Sequence, residues 1–213
     1  MIEIIPAILT DSPIKFKELM LRVEPYTKRV HIDIADGEFV PNKTITGYEE
    51  LMMIEAAVKF DVHLMVKRPH DIIKDWLHSY ADRFIIHVES EGNLMEIIET
   101  LKKGKRSVGL ALNPETDMGK VDSFLGKVDF VQFMTVHPGF QGREFVGAVL
   151  DKVRDFHNKY PKMPISVDGS MHVETAKLAV SAGASIIVVG GHLLFENKDI
   201  GEAIKELQEA CTI

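Results

Sequence analysis

His31 and Asp33 stand two residues apart in the run Arg29–Ala35, RVHIDIA. In an extended strand, residues two apart share a face, so the imidazole and the carboxylate project together while Val30, Ile32 and Ile34 project to the other side. Further along, FDVHLMV carries His63, RFIIHVE carries His87 and Glu89, and PISVDGS carries Asp168. Ionisable groups inside apolar strands are costly to bury unless something offsets their charge. Taken singly, each has a structural reading: a strand histidine is more often a hydrogen-bonded core residue than a ligand, and Asp168 before Gly169 suits the opening of a turn. Taken together they point to one centre. Two neutral imidazoles and two carboxylates, His31, Asp33, His63 and Asp168, form an N₂O₂ donor set suited to one divalent ion, with Zn²⁺, Fe²⁺, Mn²⁺ and Co²⁺ all admissible. His87 and Glu89 either orient those ligands or bridge layers of the core, with bridging the favoured reading.

A set drawn from distant parts of the chain needs strands that end on one side of a sheet. Eight β-branched runs are present: EIIPAIL from Glu3, RVHIDIA from Arg29, FDVHLMV from Phe60, RFIIHVE from Arg83, SVGLALN from Ser107, FVQFMTV from Phe130, PISVDGS from Pro164 and SIIVVGG from Ser185. Between them, apolar residues recur at helical spacing, as in Phe16, Leu19, Met20 and Val23, or Val173, Ala176, Ala179 and Val180. Helix starts are signalled by Pro13 after Asp11 and Ser12, by Pro69 before HDIIKDWL, and by Asn93 before LMEIIETL. Such alternation implies parallel strands joined by helical crossovers. Eight units in 213 residues suit an α/β fold of the (β/α)₈ barrel type, with residues 1–213 as a single domain. The rival, a doubly wound sheet that binds a nucleotide, wants G-x-G-x-x-G after its first strand, where this chain has PAILTDSP.

Most of the polar exceptions lie toward the C-terminal ends of their strands, where barrel enzymes place their sites. Three glycine-containing loops follow the later strands: HPGFQGREF, DGSM and GGHLLF. Glycine lets backbone amides approach an anion, and barrels often hold phosphate after strands seven and eight. Gly139, Gly142, Gly169, Ser170, Gly190 and Gly191 are therefore candidate phosphate contacts.

Net charge is −7 with a pI near 5.7, and no block of like charge is present, which excludes nucleic acid as a partner. The single Cys211 forms no internal disulfide, and no 18-residue apolar run or secretory leader is found, so the reading is a cytoplasmic protein away from the membrane. Apolar residues exposed on the helices would serve a homo-oligomer.

At this point HIDIADGEFVPN, DVHLMV, MTVHPGFQGREF and SVDGS, in order over essentially the whole chain, resemble the ribulose-phosphate 3-epimerases. The resemblance implies a ribulose-phosphate-binding TIM barrel whose metal is held by His31, Asp33, His63 and Asp168. It implies that Asp33 and Asp168 are the acid/base pair acting on a small sugar phosphate through a metal-stabilised enediolate, that His63 is near the substrate, and that Ala7, Ala35, Met65 and Met134 line the site. Inverting C3 of a ketose takes a proton from one face and returns one to the other, so two carboxylates are needed. A model aspartate pKa of about 3.9 makes a weak base for a carbon acid, and the ion would carry much of the stabilisation. Orotidine-phosphate decarboxylases and hexulose-phosphate synthases are similar to one another in a D-x-K-x-x-D strand motif, whose lysine is absent from Asp33-Ile34-Ala35-Asp36.

The chain departs from the family pattern in four places. P-S-I-L is Pro6-Ala7-Ile8-Leu9, M-D-G is Ala35-Asp36-Gly37, G-F-G-G-Q is Gly139-Phe140-Gln141-Gly142-Arg143, and the last G-S is Gly190-Gly191 before His192. The implied reaction is D-ribulose 5-phosphate to D-xylulose 5-phosphate. The alternatives are 3-epimerisation of D-allulose 6-phosphate, for which Ala7 and Ala35 would enlarge the cavity, and a phosphosugar-binding relative without catalysis.

Overall fold

Buried on both faces, β-branched runs bond to parallel neighbours, and here they do so all the way round. In the computed structural model, which describes residues 2–140, 142–195 and 199–212, β1 (Glu3–Ile8), β2 (Arg29–Ala35), β3 (Lys59–Met65), β4 (Arg83–His87), β5 (Ser107–Leu112), β6 (Phe130–Met134), β7 (Ile165–Asp168) and β8 (Ile186–Val189) form a closed parallel barrel in sequence order. The β8–β1 pairing closes it. The α/β fold is the TIM barrel expected from the strand count.

Around it lie α1 (Pro13–Val23), α2 (Tyr48–Met52), α3 (Ile73–Trp76), α4 (Leu94–Lys103), α5 (Val149–Lys159), α6 (Val173–Ser181), α7 (Gly191–Leu194) and α8 (Ile200–Ala210). Helix α1 buries Phe16, Leu19, Met20 and Val23 and is capped by Ser12, whose hydroxyl accepts from Lys15 N–H at 3.3 Å. Asn93 caps α4 in the same way through Glu96 N–H. Two crossovers are weaker than their apolar spacing predicts. After Pro69 the chain makes a 3₁₀ turn before α3, which is only one turn long, because the Ser79 N–H (3.1 Å) and hydroxyl (2.7 Å) both close on the Trp76 carbonyl. Between β5 and β6 a 3₁₀ segment, Met118–Phe124, stands in for a helix.

Apolar packing forms two layers, besides a small cluster of Ala35, Val40 and Met65 under the loop after β2. The larger lies between sheet and helices, and the smaller, Ile5, Ala7, Ile85, Ala111, Phe130, Ile186 and Val188, fills the barrel. At the N-terminal mouth Asp61, 1 % exposed, is gripped by Arg29 and Arg83, the latter at 3.0 Å. Glu3 pairs with the same two arginines there, and the opposite mouth carries His31, Asp33, His63 and Asp168. Register fixes who meets whom there: Asp33 is opposite His63, Gln132 opposite Ser166, and Met134 opposite Asp168. The runs read from the sequence overshoot these strands at their C-terminal ends, at Val88–Glu89, Thr135–Val136 and Gly169–Ser170, because the backbone leaves the ladder there to build loops. Among the described residues no helix is long and apolar enough to cross a membrane.

Candidate active site

His31 and Asp33 reach the barrel interior from β2, His63 from β3 and Asp168 from the end of β7, and one ligand atom of each lies within 4.8 Å of all the others. Both imidazoles are fully buried, while Asp33 and Asp168 keep 12 % and 13 % side-chain exposure. His31 Nε2 is 3.3 Å from Asp33 Oδ1 and 3.6 Å from Asp168 Oδ2, yet neither of its ring nitrogens makes a hydrogen bond. A buried ring with two unsatisfied nitrogens beside two carboxylates is what an ion-binding set leaves behind.

Proton counting gives a second test. From Asp33 Oδ1 a line of contacts runs to His63 Nδ1 (2.8 Å), from His63 Nε2 to His87 Nε2 (2.9 Å), and from His87 Nδ1 to Glu89 Oε2 (3.2 Å). Glu89 Oε1 meanwhile accepts from Asn113 N–H at 2.9 Å and from the Thr116 hydroxyl, so Glu89 is a pure acceptor. The line has three gaps, and two neutral imidazoles carry two N–H groups. If Glu89 takes the His87 Nδ1 proton, His87 Nε2 takes the His63 proton, and the His63 Nδ1 lone pair faces the Asp33 carboxylate. Only a positive charge, a proton or a metal ion, makes that last contact favourable. With His31 unsatisfied at the same place, the residues fit a divalent ion held by His31, Asp33, His63 and Asp168. His87 and Glu89 contact His63 end to end, in position both to bridge β3 and β4 and to orient the His63 ring.

The electrostatics agree. Burial alone would lower His31, but Asp33 and Asp168 outweigh it and raise its pKa to about 8. Burial works against ionised Asp33, yet His31 and His63 hold its carboxyl well below the usual range. Asp168 goes up, pushed by burial and by the charge of Asp33 beside it. Burial holds His87 down at about 4, and Glu89, despite burial, is drawn to about 2 by His87 and Thr116.

Asp168 has a neighbour that the sequence reading missed. Gln132, fully buried on β6, donates from Nε2 to Asp168 Oδ2 at 3.1 Å and accepts at Oε1 from the Ser166 hydroxyl at 3.1 Å. The signal was present: a lone amide in FVQFMTV, on the parity of Met134. Beyond Asp168 the chain turns sharply. Thr135 donates its N–H to the Asp168 carbonyl (2.8 Å) and its hydroxyl to the Gly169 carbonyl (2.7 Å). Gly169 has φ of 124°, and a Cβ there would come within 2.9 Å of the Val136 backbone nitrogen, so only glycine fits.

Above the cluster opens a cavity of about 300 Å³. Asp33, Asp168, Ala7, Met65 and Met134 face it, as do the loop residues Gly139, Gly142, Gly169, Ser170, Gly190 and Gly191, with Arg143, His172 and His192 at its edge. His31 and His63 lie beneath it. Ala35 does not line it: the loop after β2 folds back, with Thr44 N–H on the Ala35 carbonyl (3.1 Å), and Phe39, Val40 and Met65 pack over the methyl group. Gln141 lies outside the described residues. Asp36 is a loop anchor, accepting from the N–H groups of Glu38, Phe39 and Lys67 at 2.7–2.8 Å. His137 points away from the cavity to pair with Glu115 at 3.2 Å.

Comparison with known proteins bears on family and fold. The model of the "Ribulose-phosphate 3 epimerase family" matches residues 3–194. The ribulose-phosphate 3-epimerase of Bacillus subtilis (strain 168) is 32% identical, covering 98% of this chain and 99% of its own. The cytoplasmic isoform from Oryza sativa subsp. japonica is 36% identical over 85% of this chain and 81% of its own. Among solved structures, 3-hexulose-6-phosphate synthase from Salmonella typhimurium superposes with a TM-score of 0.71 at 12% identity, over 98% of both chains, a likeness of fold.

Proposed function

The chain belongs to the ribulose-phosphate 3-epimerase family, whose curated members are isomerases, and from that premise we propose that it interconverts D-ribulose 5-phosphate and D-xylulose 5-phosphate. The observation that carries the proposal is the pair of carboxylates, Asp33 from β2 and Asp168 from β7, meeting at one cavity floor with two imidazoles.

In this reading the sugar lies across the cavity with its phosphate at the Gly139–Gly142, Gly169–Ser170 and Gly190–Gly191 loops. One carboxylate removes the C3 proton, leaving an enediolate, and the other delivers a proton to the opposite face. Each then needs to return to its starting state before the next turnover. Met65 and Met134 give the reacting carbon an apolar wall, and the glycine loops bring backbone N–H groups to the phosphate. His31, Asp33, His63 and Asp168 would hold one Zn²⁺, Fe²⁺, Mn²⁺ or Co²⁺. When bound, such an ion supplies Lewis-acid stabilisation of the negative charge that develops on the C2 and C3 oxygens.

Ala35 stands where a decarboxylase or hexulose-phosphate synthase motif would place its lysine, which separates this chain from those neighbours in chemistry though not in fold. Capped by Phe39 and Val40, it also gives no extra room for a longer sugar. The acidic surface and lone cysteine support a cytoplasmic setting.

Incubating the metal-loaded protein with D-ribulose 5-phosphate in heavy water tests the proposal. Deuterium should enter at C3 as xylulose 5-phosphate forms, and Asp33→Asn and Asp168→Asn should each lose epimerisation. Sugar that binds and stays free of deuterium would mark a non-catalytic relative, and faster turnover of allulose 6-phosphate would move the substrate to a hexulose.

A further inference from the structure

We propose that Gln132, anchored by Ser166, is a positioning residue for Asp168 alone and sets how the reaction intermediate divides between the two acids. This rests on the two-aspartate reading above and deepens it.

Gln132 and Ser166 are register partners one layer below Met134 and Asp168, so all four side chains point into the barrel. The amide has one workable orientation. With Oε1 turned up it would face the Asp168 carboxylate, whereas with Nε2 up it donates to Asp168 Oδ2 (3.1 Å), contacts Met134 Sδ (3.6 Å), and leaves Oε1 for the Ser166 hydroxyl (3.1 Å). Each group is then satisfied, and all are buried. Among the described residues Gln132 is the only hydrogen-bond donor to the Asp168 side chain. It ties Oδ2, the oxygen that also faces His31 Nε2 and His63 Nδ1 at 3.6 Å, to the barrel interior, and so directs the other oxygen to the cavity. Asp33 has no such amide and is oriented by imidazoles instead. The two acids are therefore held by different devices, and one can be loosened without the other.

The equilibrium between the two epimers cannot change in a variant, so kcat/KM must fall by one factor in both directions. The asymmetry appears in partitioning. Starting from the epimer that Asp168 deprotonates, an intermediate facing a misaligned Asp168 returns less often, and less solvent deuterium enters unreacted substrate per product formed. Starting from the other epimer, that ratio rises. Gln132→Leu keeps the volume of the site nearly constant and removes the donor. Ser166→Ala keeps the donor and removes its anchor.

The experiment measures wash-in ratios from ribulose 5-phosphate and from xylulose 5-phosphate in heavy water, with each protein saturated with the same divalent ion. In Gln132→Leu the two ratios should move in opposite directions, with turnover reduced about 10-fold as one hydrogen bond to a charged group is lost. Ser166→Ala should give the same opposed pair of shifts, each by a smaller factor, and it decides the matter if Gln132→Leu does not fold. Unchanged ratios, or ratios that move together, overturn the assignment, since damage to the fold lowers the active fraction and leaves partitioning alone. A parent protein that incorporates no deuterium refutes the epimerase reading itself, a separate result.

Discussion

Glu89→Gln offers a perturbation outside the ligand set whose effect on metal binding follows from counting protons. The Glu89 Oε1 position faces two donors, Asn113 N–H and the Thr116 hydroxyl, so the glutamine oxygen takes that place and its NH₂ turns to His87 Nδ1. His87 then carries its proton on Nε2, His63 accepts it and carries its own on Nδ1, and that N–H bonds to Asp33. All three gaps are filled with two neutral rings, and no cation is required. To bind an ion, His63 must free Nδ1, which drives both tautomers back and leaves His87 Nδ1–H against the amide NH₂. One hydrogen bond is lost and one donor is left unpaired in a dry site, about 1–3 kcal/mol. Groups one step removed from a metal ligand typically shift affinity about 10- to 100-fold, in agreement. Competition of Zn²⁺ or Mn²⁺ between the protein and a chromophoric chelator reads this directly. Glu89→Ala, which lets His87 choose either tautomer, should lose less affinity than Glu89→Gln, and the metal-free Glu89→Gln protein should melt no lower than the metal-free parent. Binding by Glu89→Gln as tight as the parent's, or tighter than by Glu89→Ala, would refute the reasoning.

Two further outcomes are expected. The metal-free protein should lose stability below about pH 4.5: between 6.5 and 4.5 the raised Asp168, protonated earlier in the fold than in the unfolded chain, offsets His87, held at about 4 against its ordinary 6.5, and below that the unfolded chain protonates Asp33 and Glu89 first, since the fold holds both under their ordinary values. On the alkaline side the contribution of His31 is lost as pH rises through about 8. Urea midpoints across that range check both limbs, and a flat profile contradicts them. Gly109→Ala would drive a Cβ into the Phe130 ring inside the barrel, where Arg83 also stacks at 5.1 Å. Overpacking of this kind costs about 1–3 kcal/mol, to be seen as a lower urea midpoint with metal affinity unchanged.

Parity made much of the site legible. His31, Asp33 and His63 had to point inward once their strands were recognised, and the four-residue cluster needed only the assumption that β2, β3 and β7 converge. Parity does not give height or partner, however. Ala35 shares the inward face of β2, yet it lies where the loop through Thr44 returns and covers it. Gln132 was visible as a polar residue in an apolar run, but its meaning depends on being opposite Ser166 and one layer below Asp168, and register is a long-range property. The same holds for the His63–His87 contact, which joins β3 to β4. The crossovers were the least legible part, since the single-turn α3 and the 3₁₀ segment after β5 keep helical apolar spacing while their ends are set by local side-chain hydrogen bonds, Ser79 on the Trp76 carbonyl and Asp117 on Gly119 N–H.

The inward face of β2 carries Arg29 at one mouth of the barrel and His31 and Asp33 toward the other. Sliding that strand by a single residue during folding would turn all three into the oily layer beneath the helices and bring Val30, Ile32 and Ile34 inside. Groups selected for chemistry thereby act as proofreaders of assembly, and a chain that misaligns its second strand is penalised at both ends before any sugar arrives.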